Sequence, residues 1–150
     1  MKLAEALQER ADLNRRIQQL RSRLVDNAVI QEGVSPAEDT KELLAELDRC
    51  IEQFEELVAH INLTNCQTTL DGKTLTQHIA RRDALTLKLS AYRDVTQSGR
   101  QLGHRVMHSE IRLLSTVDVR GLQKQIDAIS KELRLLDNSI QAANWATELM

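Results

Sequence analysis

Residues 119–143 read "VRGLQKQIDAISKELRLLDNSIQAA". Apolar side chains fall at Val119, Leu122, Ile126, Ile129, Leu133, Leu136, Ile140 and Ala143, an unbroken alternation of three and four. That period lines them along one stripe of an α-helix, where a strand would split them between two faces. Asp118 stands just ahead, a residue type whose carboxylate accepts from the exposed N–H groups of a first turn. The stretch therefore predicts a helix that must bury one side against other helices.

Working back along the chain, the same period recurs. Ala6, Leu13 and Leu20 repeat every seven residues, as do Leu3, Ile17 and Leu24, with Arg10 interrupting the second row. This is an a/d seam over residues 2–28, and the Arg10 stem can lie along its edge. A second helix is expected from about residue 36 to residues 61–65. Leu43, Leu47, Cys50, Phe54, Leu57 and Ile61 form its stripe, and Leu44, Ile51 and Val58 widen it. So broad an apolar face implies contact with more than one neighbouring helix. A third helix carries Leu75, Ile79, Leu85, Leu89 and Tyr92 and weakens near Ser98-Gly99 before continuing to about His108.

The connectors have their own signals. In residues 25–39, Gly33 fits a helix stop and Ser35-Pro36 a restart. Ser35 with Glu38, or Asp39 with Glu42, suits a capping box. Asp71-Gly72 marks a tight turn, and Thr74 or Thr76 can cap the helix after it. The expected fold is a single all-α domain over residues 1–150. Long antiparallel helical hairpins would form a four-helix bundle or coiled-coil-like assembly.

Composition agrees. Of 150 residues 28% are charged, only Phe54, Tyr92 and Trp145 are aromatic, and there is one proline with five glycines. A core without aromatics is built from Leu, Ile and Val, which suits long, thin bundles. Residues 36–65 hold two basic and eight acidic side chains, residues 74–108 six basic and two acidic, and residues 2–28 six basic and four acidic. An acidic rod thus has two basic candidates for neighbours. The whole chain has a net charge of −2, so a general nucleic-acid binder is not expected. Glu5 and Glu9 occupy the place of a signal peptide's apolar core, and no run approaches the length of a membrane span, so the expected location is the cytoplasm. Two cysteines without metal-type spacing do not make a disulfide framework.

Candidate chemistry is sparse. The polar elbow at residues 62–83, "NLTNCQTTLDGKTLTQHIARRD", gathers Asn62, Asn65, Cys66, His78, Arg81, Arg82 and Asp83. With Trp145 it is a candidate ligand site; otherwise it is a polar network that fixes a connector, with an arginine paired to Asp83 or to an acid of the second helix. Cys66 and His78 could act as nucleophile and base if they met. His104 and His108 share a helical face, with Glu110 nearby, as metal ligands would. The third helix has a basic row, Arg81, Arg82, Lys88, Arg93, Arg100 and Arg105, suited to a polyanion. No Gly-rich phosphate loop, serine elbow or paired-carboxylate motif is present, so the chemistry leans away from an enzyme and no cofactor is expected. The expected partner is a second copy, as a homodimer or higher oligomer, with other proteins a further possibility; no membrane partner is expected.

Taken together, "MKLAEALQERADLNRRIQQLRSRL", "AEDTKELLAELD", "INLTNCQTTLDGKTLTQHIARRD", "SEIRLLSTVDVRGLQKQID" and "NWATEL" resemble the bacterial proteins labelled septicolysin, or left as a domain of unknown function. The likeness covers nearly the whole chain. It implies an all-helical single domain and brings no catalytic residue with it. The toxin-like label implies a membrane-active protein. That needs an amphipathic helix able to leave for lipid, and the last helix has a balanced charge pattern rather than a basic face.

Overall fold

The computed structural model describes residues 1–101 and 112–150. Among them are four long helices packed as two antiparallel pairs, the architecture the periodicity predicts. They cluster into two compact units, residues 1–74 with 142–150, and residues 75–141.

In the first unit, α1 spans Leu3–Asn27 and α2 spans Thr40–Gln67. The Glu5 carboxylate accepts from the Lys2 backbone N–H at 2.6 Å, satisfying a donor that the helix start leaves over. Leu20, Leu43 and Cys50 form the shared core, with Ile17, Leu24 and Leu47 against it. Arg10 is exposed, as the interrupted seam requires. The connector is fixed by Asn27. Its amide donates to the Arg23 carbonyl at 2.9 Å, and its oxygen accepts from Glu38 N–H at 3.1 Å. Of the two capping boxes, the Ser35 one does not form. Glu38 is turned to Arg23 instead, and Asp39 caps α2 by accepting from Lys41 N–H at 2.8 Å.

Asp71 (φ 50°) and Gly72 (φ 78°) both take the left-handed conformation, as a type I′ hairpin turn requires. They join two two-residue strands, β1 (Thr69–Leu70) and β2 (Lys73–Thr74), paired Thr69 to Thr74 and Leu70 to Lys73. The sequence marks the turn; the strands are an addition to an otherwise helical chain. The two ends of the chain meet in this unit. Leu3 N–H donates to the Thr147 carbonyl at 2.9 Å and Leu149 N–H to the Met1 carbonyl at 2.8 Å. Glu148 pairs with Lys2 and with the terminal ammonium, and those two cations hold its carboxyl below the usual range.

The second unit pairs α3 (Leu75–Arg100) with most of α4 (Val119–Ala146). Leu85, Leu89, Ile126 and Ile129 form its core, with Tyr92, Leu133 and Leu136 packed on it. Asp118 caps α4, accepting from Gly121 N–H at 3.0 Å. The helix ends at Arg100, just past Ser98-Gly99, and the expected continuation to about His108 falls on residues 102–111, outside the described ones. Gly99 is there for a close approach. A β-carbon in its place would sit 2.8 Å from a Val117 methyl and 3.1 Å from Ser115 Oγ.

Candidate functional site

The elbow residues are divided between the two units. Asn62, Asn65 and Cys66 lie on the last turns of α2, with Asn62 and Cys66 exposed. Trp145 is exposed at the end of α4 and clusters with that unit, while the adjacent Asn144 is buried. The fully buried polar group there is Thr64, whose type and place at a helix end suit a side chain that bonds freed backbone groups. Thr64 Oγ1 donates to the His60 carbonyl at 2.8 Å and accepts from Met150 N–H at 3.1 Å. His60 also contacts the Met150 oxygen through Nδ1. The bond to His60 is the local one a threonine makes in a helix, whereas the partner at Met150, 86 residues away, is set by the fold.

His78, Arg81, Arg82 and Asp83 lie on the first turns of α3. Arg81 holds Glu132 of α4 at 2.7 Å rather than an acid of α2. Arg82 lies against its neighbour Asp83 at 3.0 Å. These two cations therefore carry structural pairs within their own unit. His104, His108 and Glu110, like Arg105, lie outside the described residues. Among the described residues, no group of three or more His, Cys, Asp or Glu is placed to hold a metal ion.

The basic row of α3 separates into two faces. Arg81 and Lys88 lie on one side, Lys88 with its ammonium 5.3 Å from the Tyr92 ring centre. Arg82, Arg93 and Arg100 fall on another, spaced eleven and seven apart, which is close to three and two whole turns. The sequence R-x-x-T-Q-x-x-R places Arg93, Thr96, Gln97 and Arg100 together there. On α4, Gln123, Asp127 and Ser130 share one flank in the same way and lie opposite.

The two flanks enclose a groove of about 480 Å³ floored by Ile126. Arg100 donates to Gln123 Oε1 at 2.9 Å, and Gln123 in turn donates to Asp127 Oδ1 at 3.0 Å. Arg93 has no carboxylate partner among the described residues. Thr96 is 97% buried, and its hydroxyl meets no donor or acceptor among the described residues. The groove continues past Arg93 and Ser130 to Arg82, Arg134 and Asp137.

A second arginine-lined cleft, between α1 and α2, has a different chemistry. Arg16 clasps Glu46 through Nε (3.0 Å) and Nη2 (2.6 Å), Arg23 clasps Glu38, and Arg15 pairs with Asp12. Hydrogen bonds from Arg16 and Arg23 hold the Glu46 and Glu38 carboxyls below their ordinary range, and the same bonds raise the two guanidinium groups further.

Residues 10–149 match the profile of a family of unknown function, DUF6847. A crystal structure described as a functionally unknown conserved protein from Corynebacterium diphtheriae is similar at 40% identity. The match covers 100% of this chain and 99% of that one, with a TM-score of 0.94. No curated protein matches the chain.

Proposed function

Since the chain belongs to the family of unknown function DUF6847, its role has to be argued from its own geometry, and we propose that it is a cytoplasmic, self-associating helical module. The observation that supports this is the apolar surface left on α3 and α2. On α3, Ala80, Ala84, Leu87, Ala91 and Val95 are all exposed and follow one another at four-three-four-four spacing, with Leu87 at 74%. On α2, Leu44 and Ile51 are exposed one heptad apart. Scattered exposed leucines are ordinary, but rows at this spacing are seams for another helix, and alanines in a seam let that helix come close.

A second copy fits the rows best. The α2 row runs among Asp48, Glu52 and Glu55, whereas α3 carries an excess of arginine and lysine. The exposed row of one copy therefore meets opposite charge on the other, which favours encounter and register. Sedimentation equilibrium at tens of micromolar is expected to give at least twice the 17.0 kDa chain mass. Leu87→Lys combined with Ile51→Lys should return it to one chain mass with helix content unchanged. A native chain that sediments at one chain mass removes the proposal. The septicolysin resemblance brings a membrane-active expectation of its own, which a liposome-leakage assay tests. Among the described residues, no helix is long and apolar enough to cross a membrane.

A further inference from the structure

The α3/α4 groove holds two features that packing alone does not account for. A threonine in a helix usually returns its hydroxyl to a carbonyl one turn back, as Thr64 does to His60. Thr96 is as buried as a core leucine, yet among the described residues its hydroxyl has no partner. A polar atom taken from water without a partner is destabilising, and such sites are commonly completed by a ligand. One turn away, the Arg93 guanidinium has no carboxylate partner among the described residues, although α4 offers one in Asp127. Asp127 is held by Gln123, which is itself held by Arg100. That relay keeps the carboxylate oriented along the far wall and leaves Arg93 open.

We propose that this groove binds a small phosphate ester whose body carries hydroxyl groups. The phosphate would lie between the Arg93 and Arg100 guanidinium groups, with the Thr96 hydroxyl, sealed from water in the unliganded chain, turning about χ1 to donate from beneath. A phosphate has enough acceptor oxygens to take both arginines and the hydroxyl together, and guanidinium planes match its geometry. Asp127 sets the rest of the ligand. A carboxylate facing an anion repels it, so a bare anion uses only half the groove, whereas hydroxyls on the ligand body donate to Asp127 and satisfy that wall. Ser130 and Gln97 add neutral hydrogen-bonding groups, and Ile126 gives the body an apolar floor. The volume is that of an ordinary small-molecule site. The inference is independent of self-association, because every group it uses lies on α3 and α4 of one chain.

Calorimetric titration of the whole protein with ribose 5-phosphate, inorganic phosphate and ribose tests it. Ribose 5-phosphate is expected to bind saturably with a Kd below about 1 mM, and inorganic phosphate about tenfold more weakly. Ribose alone should show no binding. Arg93→Gln should weaken ribose 5-phosphate at least about tenfold, and Thr96→Val several-fold, both with unchanged helix content. Arg16→Gln, in the other cleft, should change nothing. The proposal is overturned if ribose 5-phosphate shows no saturable heat at about 5 mM, or if Arg93→Gln binds as the native chain does. It is equally overturned if Arg16→Gln loses as much as Arg93→Gln, or if inorganic phosphate binds as tightly as the ester. The first of these last two results would mean unspecific charge. The second would mean that the Asp127 wall plays no part.

Discussion

The two helical hairpins have the same plan and opposite surfaces. Each is an antiparallel pair with an aliphatic core, and each has an arginine-lined cleft along one side. Between α1 and α2 every arginine named above meets a carboxylate, so the cleft is closed in charge and serves to hold the hairpin together. Between α3 and α4, among the described residues, the exposed Arg93 has no carboxylate and the buried Thr96 hydroxyl has no partner. A buried hydroxyl without a partner costs stability, and binding sites are where such a cost is ordinarily found. The lesson is that arginine count does not identify a site; arginine pairing does.

The comparison breaks most readily at the cores. Leu20 in the first hairpin and Leu89 in the second are both buried, and either Leu→Ala change should cost about 2–5 kcal/mol in urea unfolding. A loss at Leu89 far below that at Leu20 would mean that the second hairpin is held by something other than its aliphatic core. The buried threonines sharpen the contrast, since equal substitutions should have opposite signs. Thr64→Val removes a hydroxyl bonded on both sides and should destabilise by about 1 kcal/mol. Thr96→Val removes one bonded on neither and should stabilise the unliganded protein by a similar amount, about 1 kcal/mol. If both destabilise alike, Thr96 has a partner after all and the second groove loses its distinction.

How far these features could be read in advance depended on the distance over which each is decided. The α4 seam and its Asp118 cap were legible because both are set within one turn of helix. The Asp71-Gly72 turn was legible because its backbone conformation is a property of those two residues. The α2 cap was narrowed to Ser35 or Asp39 and not decided between them, because Glu38 answers to Arg23 across the hairpin, a contact that no local pattern encodes, and Asp39 takes the cap. The elbow was legible in part: an arginine was expected on Asp83, and Arg82 takes it, whereas Arg81 reaches Glu132, 51 residues on. In the R-x-x-T-Q-x-x-R run, Arg93 and Arg100 were legible as members of a basic row, and Thr96 and Gln97 were not. The run becomes a groove wall only when Gln123, Asp127 and Ser130 stand opposite, and a one-helix reading has no access to that.

The smallest effect expected is in acid, and it belongs to the first hairpin. Glu38 and Glu46 have folded-state pKa values below those of the unfolded chain, chiefly through hydrogen bonds from Arg23 and Arg16. A depressed carboxyl contributes stability that is fully present above its unfolded pKa, near ~4.3, and is lost as the pH falls through the folded value. Both pairs lie at the surface, where water and salt weaken them, so the contribution is small. Urea midpoints measured from pH 6 downward should therefore fall below about pH 4.5 in the native chain. In Glu38→Gln/Glu46→Gln, where Asp12 is the carboxyl left in that cleft, the fall should be shallower. High salt should bring the two curves together, because it screens the native pairs and leaves the amides as they were. Parallel curves at low salt would show that the arginines of the first cleft are no better satisfied by their carboxylates than by water. The contrast between a closed cleft and an open one would then rest on Thr96 alone.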